Sequence, residues 1–349
     1  MKIRLLTLYL CGLSAPSLGG LTPAKKNMDI VGHQKIVKYL KNSIAKDRLA
    51  HIYLFYGPEH SGKTTLAQYF AQALFCPYSW QEKKFIGPCG KCTACRRVLN
   101  NTNPDFFYLN GEEKSSLGIN DIRRLKMFFN LRPFEGQYKV ALIDKAEKLT
   151  EQAINSALKI FEETPKGGVI ILTASDISRF PSTLFSRVQI LRFHLPAKRE
   201  IISWLNEEHL NSLKKTKEVL FFSSYRPGLI ARFLKNQDEF SLFQEHISQV
   251  IQILEKRDLE EFISFFQKQE DILSKLDILL WAVRIMLLNK LNLKKELPDF
   301  FQINSQSYCF SLEQLTFLTK KILGTKAYLS SNVNPNLALG DLFLSLPIT

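Results

Sequence analysis

The chain has 349 residues, 45% of them hydrophobic and 23% charged, which excludes a generally disordered protein and leaves room for two or three domains with cores of their own. Lysine and arginine number 47 against 33 aspartates and glutamates, a formal net charge of +14, so the balance favours anionic partners such as nucleic acid or nucleotide over acid-seeking ones. A basic solvated surface is the plain alternative, and no apolar run has the length of a bilayer span, so no membrane partner is expected.

The first 27 residues combine a short basic start, an apolar run and small residues, the pattern of an export signal. A longer nucleotide-binding signature follows, and ATP is a cytoplasmic ligand. The chain is therefore expected to be cytoplasmic, with Met28 as the start and residues 1–27 outside the fold. Setting aside Lys2, Arg4, Lys25 and Lys26 takes 4 from +14 and leaves +10, so the basic character survives. Five short apolar runs come next: IYLFY at 52–56, DFFYL at 105–109, KVALI at 139–143, VIILT at 169–173 and VQILRF at 188–193. They are apolar throughout, as a parallel sheet covered on both faces requires, and helical patterns separate them. Past Pro196 only helical spacing remains, broken near 223–228, 297–307 and 330–335.

Between the first run and the helix TTLAQYFAQALF stands YGPEHSGKTT, a complete G-x-x-x-x-G-K-[ST]. In that setting the glycines Gly57 and Gly62 let the backbone curl round a phosphate, Lys63 neutralises it, and Thr64 offers a hydroxyl to Mg²⁺, with Pro58 and Thr65 in the same segment. Next come Cys76, then Cys89, Cys92 and Cys95 in PCGKCTACRR. Thiolates at C-x-x-C-x-x-C spacing converge on one tetrahedral ion, so a structural Zn²⁺ with four sulfur ligands is expected and no catalysis is assigned to it. A redox pair is the other reading. Cys11 and Cys309 stand alone, the latter as an ordinary thiol.

With these motifs in order, the chain resembles the AAA+ clamp-loader subunits of bacterial DNA polymerase III, the gamma/tau and delta-prime group. The likeness is carried by IVGHQ, LAHIYLFYGPEHSGKTTLA, the cysteine insertion after the phosphate-loop helix, INDIRRLKMFF, GQYKVALIDKAEKLTEQAINSALKIFEETP, FSRV, RPGLIARF and NVNPNLALGDLFL. It implies an α/β AAA+ P-loop NTPase sheet over residues 28–195 with a zinc-binding insertion at 76–95, a helical lid at 196–240 and an all-α collar at 241–349. It implies assembly with gamma/tau and delta subunits into a hetero-pentamer that loads a sliding clamp on primer-template DNA. By position, ATP with Mg²⁺ falls to the Gly57–Thr65 loop and Asp144. Ser175 is the sensor residue, with Thr173 competing, and Arg187 of Phe185-Ser186-Arg187-Val188 is a finger reaching a neighbour's γ-phosphate. A surface arginine before an edge strand is the alternative for Arg187.

Three positions depart from a motor subunit. Lys145 follows Asp144 where a glutamate would activate water, Val188 replaces a cysteine, and Gly228 stands where the lid arginine would. An ammonium cannot take the proton of attacking water, so hydrolysis at this loop is doubtful. Together with the PG turn and the short C-terminus, these departures point to a delta-prime-like stator. A gamma/tau-type motor that hydrolyses ATP itself is the alternative, with Glu147 as the residue that could stand in for the missing carboxylate.

Overall fold

A computed structural model describes residues 30–81, 84–207, 216–267, 272–293, 297–298, 301, 310–330 and 334–345. The 1–27 extension, the Met28 start, Cys11, Cys309 and most of the break at 297–307 lie outside the described residues. The chain splits into two compact units, one of residues 34–56 and 63–192, the other of 31–33, 57–62 and everything from Phe193.

The first unit is a parallel sheet with helices. Its elements are α1 (Gln34–Ala45), β1 (Ile52–Tyr56), α2 (Lys63–Phe75), the short antiparallel pair β2 (Trp80–Gln81) and β3 (Lys84–Phe85), and α3 (Thr93–Leu99). They continue through β4 (Phe106–Leu109), α4 (Ile119–Asn130), β5 (Lys139–Ile143), α5 (Glu151–Glu162), β6 (Gly168–Ala174), α6 (Ser182–Phe185) and β7 (Gln189–Arg192). The five long strands lie in the order β4-β5-β6-β1-β7. β5 and β6 are buried at every position, whereas β7 at one edge is largely open to solvent. That difference explains why the central runs contain no polar alternation. All five expected runs form strands within one residue of their ends.

Register sets the functional edge. Ile143 of β5 pairs with Leu172 of β6, and Phe55 of β1 with Thr173, so these strands finish side by side. Asp144 and Thr173 thus stand together at the carboxyl ends of the strands, where open α/β sheets present ligand sites. Behind β6, α5 is started by Thr150, whose hydroxyl accepts from the Ala153 N–H at 3.2 Å. Its Ala153, Ile154, Ala157, Ile160 and Phe161 recur at helical spacing and are all buried.

The second unit is helical: α7 (Lys198–Glu207), α8 (Thr216–Ser223), α9 (Pro227–Lys235), α10 (Gln237–Lys256), α11 (Leu259–Gln267), α12 (Ile272–Lys290), α13 (Leu312–Ser330) and α14 (Pro335–Leu344). Among the described residues no strand follows Arg192. These helices share one core rich in phenylalanine. Phe222 sits at its centre, with its ring edge-on to Phe240, Phe243, Trp281 and Phe301 at centroid distances of 5.2–5.9 Å. Among the described residues no helix is long and apolar enough to cross a membrane.

Candidate functional site

Asp144 is the centre of the arrangement at the strand ends. It is buried, so its carboxylate needs partners. Oδ1 accepts from the Thr64 hydroxyl at 2.7 Å and from the Thr173 hydroxyl at 2.5 Å. Thr64 stands in the first turn of α2, and Thr173 is the penultimate residue of β6. The sheet register and the start of α2 therefore bring a hydroxyl and a carboxylate together, the donor set a hard divalent ion takes. Tyr108 lies close by, and burial first, then the negative charge of Asp144, push its phenol up so that it stays protonated.

Residues 57–62 carry the backbone signature of a phosphate loop. Gly62 has φ +94, a conformation closed to most side chains, while a Cβ on Gly57 would stand 2.3 Å from the Phe193 carbonyl. Pro58 and Thr65 are exposed and Lys63 is buried at the start of α2. Ser61 Oγ is buried with no hydrogen-bond partner among the described residues. An orphan hydroxyl in a glycine-bounded loop at a helix start fits a phosphate ligand.

Lys145, directly after Asp144, has left-handed backbone at φ 52 and ψ 53. Its N–H donates to the Thr173 hydroxyl at 3.1 Å, and its ammonium pairs with Glu112 Oε1 at 3.2 Å. Gly111 makes this possible, because a Cβ there would lie 2.3 Å from the Asp144 carbonyl oxygen. Thr173 therefore touches both the carboxylate and the following amide. Ser175 is elsewhere: its hydroxyl donates to Glu147 Oε1 at 2.5 Å, leaving Glu147 Oε2 buried without a partner among the described residues.

Arg187 follows α6 and is about one-third exposed, with Nη2 2.5 Å from Glu162 Oε1. Its Nη1 donates to the Thr183 carbonyl at 2.6 Å. The guanidinium is thus presented at the surface by a short helix and held by a carboxylate from the end of α5.

The four cysteines converge. Their Sγ atoms all lie within 4.8 Å of one another, and those of Cys76 and Cys92 are 3.8 Å apart. A tetrahedron of Zn–S bonds near 2.3 Å has edges of about 3.8 Å, so this donor set could hold a zinc ion. Cys76 directly follows α2, Cys92 caps α3 and Cys95 lies in its first turn. Backbone N–H groups point at the sulfurs, Cys89 to Cys76, Cys92 to Cys89 and Cys95 to Cys92, at 3.3–3.4 Å. Burial alone would raise the Cys89 thiol, but donors from Lys91 and Cys92 outweigh it and bring it down to about 7. Burial pushes Cys95 up. Purified protein is expected to contain stoichiometric zinc, and Cys92→Ser to weaken its retention against a chelator by at least about tenfold, as loss of a thiolate ligand implies. Elemental analysis finding no zinc in the untreated protein would overturn the assignment.

Several participants escaped the sequence reading. Glu112, which pairs with Lys145, carried no motif, and Glu162, which holds Arg187, lay at the FEETP end of a matched segment with no role assigned to it. Gly111 had a signal, a glycine just past a strand, but what approaches it depends on the neighbouring strand.

A parallel sheet with a phosphate-loop signature between its first strand and the following helix defines a P-loop protein. Residues 32–197 match the family described as "DNA polymerase III, delta subunit". The delta' subunit of Bacillus subtilis DNA polymerase III is 28% identical over 331 residues, which is 89% of this chain and 95% of that protein. The tau subunit of B. subtilis is 31% identical over 51% of this chain, and gamma/tau of Mycoplasma pneumoniae 32% over 63%. Along these stretches the chain is similar to the delta', tau and gamma/tau subunits of DNA polymerase III. It spans only 31–32% of the length of those two tau and gamma/tau relatives. A gamma subunit-related protein of Thermotoga maritima overlays with a TM-score of 0.45 at 16% identity, covering 88% of this chain and 97% of that one.

Proposed function

We propose that this chain is a delta-prime-type clamp-loader subunit, a stator that lends Arg187 to the ATP site of a neighbour. The observation that carries the reading is Lys145. Its amide is engaged by Thr173 and its ammonium by Glu112, at the position where a motor subunit would place a carboxylate to activate water. Asp144 and Thr64 would hold Mg²⁺, the Gly57–Thr65 segment the phosphates with Lys63, and Thr173 or Ser175 would sense the γ-phosphate. ATP would supply the triphosphate charge that Lys63 and the metal offset. Residues 196–240 would act as lid and 241–349 as collar. Partners would be gamma/tau and delta subunits in a hetero-pentamer, and through it a sliding clamp and primer-template DNA. The basic charge suits phosphate contacts without base reading.

One observation favours a gamma/tau-type motor. Glu147, three residues past Asp144, has a buried carboxylate oxygen without a partner among the described residues, so the segment after Asp144 still carries a carboxylate. The two readings share nucleotide binding and differ in turnover. Lys63→Ala should weaken Mg-ATP binding about 10- to 100-fold, the loss expected for a hydrogen-bonding charge, as read by titration with a fluorescent analogue. Unchanged affinity would remove nucleotide from both. Purification of the intact assembly should recover a separate gamma/tau subunit with this chain, and its absence would favour the motor.

A further inference from the structure

Two successive carbonyls of the phosphate loop are taken up by residues distant in sequence. The Gly228 N–H donates to the His60 carbonyl at 3.0 Å. His33 Nε2 lies 2.9 Å from the Ser61 carbonyl, and since a carbonyl only accepts, the imidazole proton must be on Nε2. The His33 ring is set against Phe193, with centroids 4.6 Å apart.

The Gly228 contact has a local cause. Pro227 opens α9 at its first position, where its missing N–H costs nothing, so Gly228 carries the first free amide of the helix. Arg226, the N-cap residue, makes no side-chain cap bond. The His60 carbonyl therefore serves as the acceptor that the helix start lacks. A Cβ on residue 228 would meet His60 Cα, Cβ and O at 3.2 Å each, so a side chain there would press His60 back by a few tenths of an ångström and strain the contact.

In a trans peptide the C=O and the next N–H point in opposite directions. Drawing the His60 oxygen toward Gly228 turns the Ser61 N–H away from α9. Drawing the Ser61 oxygen toward His33 turns the Gly62 N–H away from His33. Successive amides aimed off the tethered side begin an anion-binding nest. The Ser61 hydroxyl, without a partner among the described residues, belongs to the same loop.

We infer that His33 and Gly228 are positioning residues that hold the phosphate loop in its anion-binding form before nucleotide arrives, so that its affinity rests on these tethers in place of a lid arginine. The inference rests on the nucleotide-binding reading.

The test uses the full chain, Mg-ATP binding through a fluorescent analogue, and hydrogen exchange of amides 57–62 without nucleotide. His33→Asn tolerates the positive φ there but is too short to reach Ser61, whereas His33→Gln has matching reach. His33→Asn and Gly228→Ala should each weaken binding about fivefold, as loss of one hydrogen bond implies, and speed exchange in the loop. His33→Gln should restore both. If Gly228→Ala fails to fold, the His33 pair decides. Should Lys63→Ala abolish binding while His33→Asn binds and exchanges like the unaltered chain, the tethers are irrelevant and the inference falls. Should Lys63→Ala leave binding intact, the nucleotide reading fails instead, and loop exchange alone still judges the tethers.

Discussion

If Arg187 completes a neighbour's ATP site as proposed, replacing it by alanine is expected to lower hydrolysis at that site by about 10³-fold or more, the effect of removing an arginine finger. Single-turnover measurement on a reconstituted assembly isolates that site from the others. The variant should fold, because the pairs it loses are partly exposed: Glu162 is 51% exposed and the Arg187 side chain 35%. Such pairs contribute at most about 1 kcal/mol. Arg187→Lys should not rescue the rate, since an ammonium lacks the planar fork that matches phosphate oxygens. An assembled complex of Arg187→Ala with undiminished hydrolysis at every site would show that the arginine is a surface residue before an edge strand and nothing more.

The second large effect concerns Lys145. The isolated chain should hydrolyse ATP no faster than Lys63→Ala, and Lys145→Ala should leave that rate unchanged, because no proton acceptor is lost. Introducing a carboxylate is expected to raise turnover within the range of about 10² to 10⁴ attributed to a positioned general base. Lys145→Glu alone would set two carboxylates face to face, since the present ammonium is 3.2 Å from Glu112. The exchange is therefore best made together with Glu112→Gln, which keeps a polar partner and removes the repulsion. Hydrolysis by the unaltered chain at the rate of the Lys145→Glu/Glu112→Gln double variant would sink the stator reading. In that event Glu147→Gln should abolish the activity, because Glu147, three residues past Asp144, keeps a buried carboxylate oxygen without a partner among the described residues.

The sheet was legible because its central strands are covered on both faces, so the polar residues of KVALI and VIILT, Lys139 and Thr173, fall only at the ends of the runs and do not alternate. The phosphate loop was legible because glycine, lysine and threonine are needed at fixed spacing along one turn. The cysteines were legible for the same reason, and Cys76, separated from Cys89 by twelve intervening residues, joins the other three because α2 and α3 pack together. Thr173 and Ser175 could not be separated by sequence. They sit two apart near one strand end, and only the register of β5 against β6 sends the first to Asp144 and leaves the second with Glu147.

What the sequence determined by itself is whatever local spacing encodes: an α/β sheet, a phosphate loop, a thiolate cluster, and a lysine in place of a carboxylate after Asp144. What only the tertiary structure decided is how those groups are held. Glu112 facing Lys145, Glu162 facing Arg187, and His33 and Gly228 drawing back two carbonyls of the loop are contacts between distant segments. A single side chain or amide carries no trace of its partner until packing brings the two within hydrogen-bond reach, and spacing along the chain cannot reveal that.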